Sequence, residues 1–225
     1  MLLDWMFSSQ CAACGCAASA LCDSCRRSLV EIGAACPRCA EPAERDAVCR
    51  RCVTDPLPLD RIVAPWRFGG QLAIAIRRLK FAGRSHIARD LAPLWAPLLQ
   101  AIVDADDAIV VPVPIHWTRR LARGYDHTWL LAVHACRELS AKPRPLLRRI
   151  RRAPPQSTLP ASLRRTNVRG AFAVRRPREL AGRTVVLVDD VVTTGATMAA
   201  AARPLRAAGA AAVIGIALAR ASTDR

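Results

Sequence analysis

The sequence is poor in lysine, in carboxylates and in aromatic residues. Of its 34 cationic side chains only Lys80 and Lys142 are lysines; 18 acids oppose them, and the formal net charge is +16. Aromatic residues make up 4%, few for a surface that would hold single strands by base stacking. No apolar run approaches the roughly 20 residues that cross a bilayer. The opening Met1–Phe7 is apolar but short and has no basic leader, so it does not read as a signal peptide. The expected location is the cytoplasm. Thiols stay reduced there, so the ten cysteines call for something other than disulfides.

What is abundant is apolar side chain, 52% of 225 residues. That suffices for one α/β domain whose core offsets the chain's ordering entropy, plus a small module. The charge is uneven. Residues 1–60 hold six arginines and eight acids, whereas residues 142–183 hold thirteen lysines or arginines and the single acid Glu179. Such a stretch suits a polyanion: nucleic acid, pyrophosphate or both. An arginine- and alanine-rich composition from a GC-rich genome accounts for the same bias without a ligand.

The cysteines fall in four C-x-x-C turns: Cys11 and Cys14, Cys22 and Cys25, Cys36 and Cys39, Cys49 and Cys52. Each turn points two thiolates at one ion, and two turns close a tetrahedral four-thiolate site. Four turns therefore make two structural Zn²⁺ sites, in a segment too small to fold on an apolar core. Pairing neighbouring turns gives short loops and is preferred; an interleaved pairing fits the same sequence. Cys16 is left as a spare thiol and Cys136 as a buried apolar residue on a helix. The zinc module is expected over residues 10–55, with Asp55-Pro56-Leu57-Pro58 as the linker, and the α/β domain over 60–225.

In that domain Gln71 to Lys80, His86 to Val103 and Thr128 to about Leu139 read as helices, and Ile109 to Pro114 as a strand broken by two prolines. The most informative stretch is 185–198. Val185 to Val188 form a strand buried on both faces, and Asp189 and Asp190 stand where it ends. Val191, Thr193, Thr194, Gly195, Ala196 and Thr197 then lead into an alanine-rich helix. A strand running through a small-residue loop into a helix N-terminus is an anion site, at the strand ends where open α/β sheets bind ligands. Carboxylates beside a phosphate cradle need hydrogen-bond donors, and a sugar diol supplies them. Together they describe a phosphoribosyl group.

The block resembles the fingerprint of type I phosphoribosyltransferases, which bind phosphoribosyl pyrophosphate (PRPP) with Mg²⁺. The resemblance implies their fold, a mostly parallel sheet with flanking helices. A second likeness is to the ComF (competence protein F) family. It rests on the four cysteine turns, Val111-Pro112-Val113-Pro114, the cluster Arg119, Arg120 and Arg123, Gly124-Tyr125, the run Pro154-Pro155-Gln156-Ser157 to Phe172, and the 185–198 block, in that order over about residues 10–220. Where the family usually has Gly-Phe-Asn-Gln, this chain has Gly124-Tyr125-Asp126-His127. Asp126 therefore reads as a helix cap, and His116 and His127 as polar surface residues.

The resemblance implies that residues 151–167 form a hood over the site, with Gln156, Arg164, Arg165 and Asn167 closing on PRPP. Asp189 and Asp190 would then be the catalytic pair, holding the diol and favouring a cationic sugar ring. Lys80, Arg119, Arg120 and Arg123 would neutralise the leaving pyrophosphate, and Mg²⁺ would bridge pyrophosphate and sugar hydroxyls. No general base stands out, and the acceptor is unknown. Three functions follow: a phosphoribosyltransferase, a non-catalytic PRPP-binding regulator, or a factor that handles single-stranded DNA in uptake, with competence-machinery proteins as partners.

Overall fold

The computed structural model describes residues 10–222 except 19, 107, 138, 140 and 152–169. Two one-turn helices, α1 (Asp23–Arg27) and α2 (Arg50–Thr54), belong to the cysteine-rich segment. Strands β1 (Arg61–Val63) and β2 (Trp66–Arg67) lead to helices α3 (Gly70–Phe81), α4 (Ile87–Leu91) and α5 (Ala96–Asp106). Strand β3 (Ile109–Pro112) is followed by α6 (Trp117–Arg123) and α7 (His127–Ala135). A pair β4 (Leu147–Arg149) and β5 (Phe172–Val174) precedes β6 (Thr184–Val192), α8 (Ala196–Ala207) and β7 (Ala212–Arg220).

The strands lie in the order β1-β7-β6-β3 with every neighbour parallel, and β2 continues the β1 edge along β7. This is the mostly parallel sheet with flanking helices that the sequence implies. Strand β6 is apolar without alternation because both its faces are covered. Val185 and Leu187 enter one apolar layer with Met198 and Leu205 of α8, Val111, and Phe172 of β5. Val186 and Val188 enter the other, with Ile76, Leu91, Trp95 and Leu131 from α3, α4, α7 and the turn before α5. Helix α8 is built of small residues, which lets it approach the sheet closely. A Cβ on Gly215 of β7 would meet Met198 Sδ at 2.7 Å and Ile62 Cγ1 at 3.2 Å.

The single helix expected from His86 to Val103 does not form. Pro93 lies in a 3₁₀ turn, Ala92–Leu94, that separates α4 from α5, because proline cannot donate to the helical ladder. Leu91, Trp95, Leu99 and Ile102 are buried, and Leu94 and Leu98 are half-buried. The helix expected to reach Leu139 ends at Ala135, with buried Cys136 as its cap. Among the described residues no helix is long and apolar enough to cross a membrane.

The eight turn cysteines gather as two groups, Cys11, Cys14, Cys22 and Cys25, and Cys36, Cys39, Cys49 and Cys52, with the sulfurs of each group within 4.8 Å of one another. Neighbouring turns therefore pair. The Cys14–Cys22 and Cys39–Cys49 sulfurs are each 3.7 Å apart. Four sulfurs at about 2.3 Å from one tetrahedral ion stand about 3.8 Å apart, so both groups fit zinc. The groups pack into opposite faces of the sheet. The first shares its apolar cluster with α3, the second with β1 and α8. The second is also tied to the sheet by main chain and by charge. Ile62 N donates to Arg38 O at 3.0 Å, and buried Arg220, at the end of β7, donates to Cys39 O at 2.8 Å and pairs with Glu41.

Candidate functional site

Asp189 and Asp190 occupy the carboxyl end of β6 beside the α8 N-terminus. Between them the chain turns through Thr193 to Gly195, whose left-handed φ of 75° caps α8. A Cβ at Gly195 would lie 2.9 Å from Leu57 Cδ1, so a side chain there meets the left-handed backbone and must also displace the end of the Leu57 side chain. Thr194 is buried and its hydroxyl oxygen accepts from Ala196 N at 3.4 Å. Asp189, Val191, Val192, Thr193, Gly195, Ala196, Thr197 and Met198 line a small cavity of about 20 Å³. It has the donor-lined, helix-headed form of an anion cradle.

Three elements converge on the acid pair. Lys80, in the last turn of α3, places Nζ 2.6 Å from Asp190 Oδ2. His127, the first residue of α7, places Nε2 3.2 Å from the same oxygen. Arg123 Nη1 lies 2.5 Å from His127 Nδ1. An arginine only donates, so Nδ1 accepts and Nε2 carries the proton toward Asp190. Arg123 also lies over the Phe81 ring, 5.4 Å from its centroid.

The turn that follows Arg123 is pinned by two side chains. Tyr125 hydroxyl donates to Leu79 O at 2.5 Å. Asp126 accepts from Thr128 N at 3.0 Å and Trp129 N at 3.1 Å with one oxygen, and from Ile115 N at 3.2 Å with the other. Asp126 is thus the α7 cap, as its residue type implies.

These contacts set the two carboxylates apart. Burial and then the charge of Asp190 push the Asp189 carboxyl up to about 8. Burial would raise Asp190 as well, but Lys80 and then His127 outweigh it and hold Asp190 far below the usual range. The pair is thus split: the contacts favour the ionised form of Asp190 and the protonated form of Asp189. Around them stand partly buried arginines. Burial, then Arg119, lowers Arg149, while Asp189 favours its charge. Burial lowers Arg123, against the pull of Asp190. A rim of partly desolvated guanidinium groups is primed for an anion.

Of the residues singled out from sequence, the fold brings Asp189, Asp190, Val191, Thr193 to Thr197, Lys80 and Arg123 together, with Arg119 near enough to act on Arg149. It does not gather Arg120, whose side chain is exposed on α6. Gln156, Arg164, Arg165 and Asn167 lie outside the described residues; β4 and β5, antiparallel, bracket their segment. Two histidines correct the reading of surface positions. His116 is buried and caps α6, and His127 is buried in the acid network. The sequence placed His127 at the surface and Arg149 only within the basic stretch 142–183. No local sequence signal marks His127, whose place in the site depends on how α7 docks onto β6.

Residues 2–53 match the Double zinc ribbon domain and residues 129–225 the Phosphoribosyl transferase domain. DNA utilization protein YhgH of Escherichia coli (strain K12) is 35% identical over 202 residues, which cover 86% of this chain and 87% of that one. Competence protein F of Haemophilus influenzae is 30% identical over 203 residues, with the same shares. The chain belongs to the competence protein F family. Within ComF, Competence protein ComFC of Bacillus subtilis is 27% identical over 201 residues, 86% of this chain and 81% of its own. The ComF architecture of a double zinc ribbon on a phosphoribosyltransferase domain is the one seen here, with both four-cysteine groups supporting structural zinc.

Proposed function

We propose that this ComF protein binds PRPP with magnesium at the end of β6 and transfers or senses its phosphoribosyl group. The observation that carries the reading is the placement of Asp189 and Asp190 near the carboxyl end of β6, a few residues before the left-handed Gly195 and the N-terminus of α8. The diol of the sugar donates to the acid pair, and the 5-phosphate takes the backbone donors and hydroxyls of Thr193 to Thr197. Arg119, Arg123 and Arg149 face the pyrophosphate, with Lys80 neutralising Asp190 beneath it. Magnesium, when bound with PRPP, supplies charge neutralisation for the leaving pyrophosphate. His127 keeps Asp190 oriented through Nε2. With the sugar held at C1 for displacement, positioning and charge provide the rate.

Binding and turnover are separable. PRPP with Mg²⁺ should raise the thermal midpoint in a concentration-dependent way, because a ligand held only by the folded state stabilises it. Pyrophosphate release across a panel of nitrogen acceptors then distinguishes a transferase from a PRPP-binding regulator. No thermal shift at millimolar PRPP would sink both forms.

A second reading, contact with single-stranded DNA, draws on an observation that composition hides. Although aromatics are few, Phe81 and Trp117 are 77% and 63% exposed. Trp117 shares α6 with Arg119, Arg120 and Arg123, and Phe81 lies beneath Arg123. That arrangement joins stacking surfaces to backbone-neutralising charge. It agrees with the names of the relatives, which refer to DNA utilization and competence.

A further inference from the structure

We propose that Cys14 and Cys16 form an oxidant-sensitive site: hydrogen peroxide converts them to a disulfide and the first zinc site releases its metal, while the second keeps its own. The two zinc sites are unequal in a way that their shared motif conceals. Cys36, Cys39 and Cys52 of the second site are buried, and the tenth cysteine, Cys136, is buried at the far end of α7. In the first site the ligand Cys14 is exposed, and a fifth thiol, exposed Cys16, places its sulfur 3.3 Å from that of Cys14. This is shorter than the roughly 3.8 Å edge between two ligands of one tetrahedral zinc. Cys16 therefore sits against a ligand sulfur as a neighbour outside the four-sulfur set. The turn that brings it there is Gly15, with φ of 84°, closed by Cys11 N donating to Cys16 O at 2.7 Å.

The chemistry balances with peroxide as the oxidant. The exposed Cys14 thiolate attacks one peroxide oxygen, the O–O bond breaks, hydroxide leaves, and Cys14 becomes a sulfenic acid. The Cys16 thiol attacks that sulfur; the S–O bond breaks and water leaves. Two sulfurs are oxidised by two electrons in all, peroxide is reduced to one water and one hydroxide that takes its proton from solvent, and a resolving thiol stands next to the attacking one. The sulfurs must close from 3.3 Å to about 2.05 Å, and residues two apart lie within the reach of a disulfide. Zinc then holds three thiolates in place of four. The loss is felt beyond the site. Cys11, Ala12 and Cys25 share an apolar cluster with Leu72, Ile76 and Leu79 of α3, and Arg78 Nη1 donates to Ala12 O at 3.3 Å. Helix α3 is the one that ends in Lys80.

The test uses the full chain, purified with two zinc ions. Peroxide is added, zinc release is followed with a chromogenic chelator, and non-reduced peptides are mapped by mass spectrometry. The expected result is a fast phase of about one zinc per chain, a Cys14–Cys16 disulfide, and reversal by a thiol reductant with added zinc. Cys16→Ser and Cys16→Ala leave all eight ligands in place; both should purify with two zinc ions and lose the fast phase by about ten-fold or more. Equal release rates in wild type and both variants would overturn the proposal. So would parallel loss of both metals, a disulfide that excludes Cys16, or variants that purify short of zinc, since Cys16 would then be a ligand.

Discussion

At the scale of single residues, Asp189 and Asp190 are chain neighbours in opposite charge states. The difference gives a pH test with a definite sign. Asp189, raised to about 8 by burial and by Asp190, holds a proton in the folded protein that an unfolded aspartate loses above about pH 4. Its contribution to stability is complete below about pH 4 and is lost as pH rises to about 8. Asp190, held low by Lys80 and His127 against its burial, contributes fully above about pH 4 and loses stability only as pH falls below it. The variant Asp189→Asn removes the first dependence alone. Wild type should therefore lose thermal midpoint relative to the variant between about pH 5 and 8 and then level off. A difference that stays flat across that range would contradict the assignment of the raised group. Lys80→Ala removes the nearest cation from buried Asp190, leaving His127 Nε2 and Val191 N as its partners, and should cost on the order of 2 kcal/mol in urea unfolding. His127 was not legible as part of this network, because it rests on how α7 docks onto β6, a tertiary fact that no local pattern carries.

At the scale of elements, the β6–loop–α8 unit was legible because three local signals coincide: a doubly buried strand, small residues at its end, and a helix. The loop's precision depends on something the sequence does not display. Leu57, from the segment after the zinc module, closes over Gly195. Gly195→Ala meets both a left-handed backbone and a Cβ contact of 2.9 Å. It should destabilise the chain by about 1–3 kcal/mol and distort the cradle. Urea unfolding and PRPP affinity should both respond, and a variant indistinguishable from wild type would show that the loop has room to spare. Helical periodicity placed the apolar face of residues 87–103 correctly and missed the break, because side-chain spacing is blind to what Pro93 does to the backbone. Strands β4 and β5 were not legible at all. Each has three residues, and they pair across 22 intervening positions.

At the scale of the whole molecule, the zinc module is part of the core. Its first site lies on the α3 face and its second on the α8 face, so the sheet is clasped from both sides. The second site shares a layer with Leu57 and Ile62, the residues that border Gly195. Cys36→Ser should therefore lower metal content to about one zinc per chain and also weaken PRPP binding, since structural zinc supplies folding energy to what it touches. Metal analysis with PRPP titration of the same preparation checks this; zinc loss with unchanged PRPP affinity would separate the module from the site. The positive charge was legible from composition, but its company was not. Phe81 and Trp117 emerge beside the arginines only in the folded chain. Single-stranded DNA binding should fall with log salt at a slope of about −0.7 per phosphate contact. Trp117→Ala should weaken it by about 1–3 kcal/mol without changing that slope.

Whether the acid pair before α8 holds the sugar of PRPP is open to one measurement. Isothermal titration of the purified chain with PRPP, with and without Mg²⁺, tests it directly when repeated on Asp189→Ala and Asp190→Ala. The expected result is one PRPP per chain, dependent on Mg²⁺, with affinity reduced by about ten-fold or more in each variant, since each loses a hydrogen-bond partner of the sugar diol. Absence of binding to wild type, or equal affinity in wild type and both variants, would contradict the account.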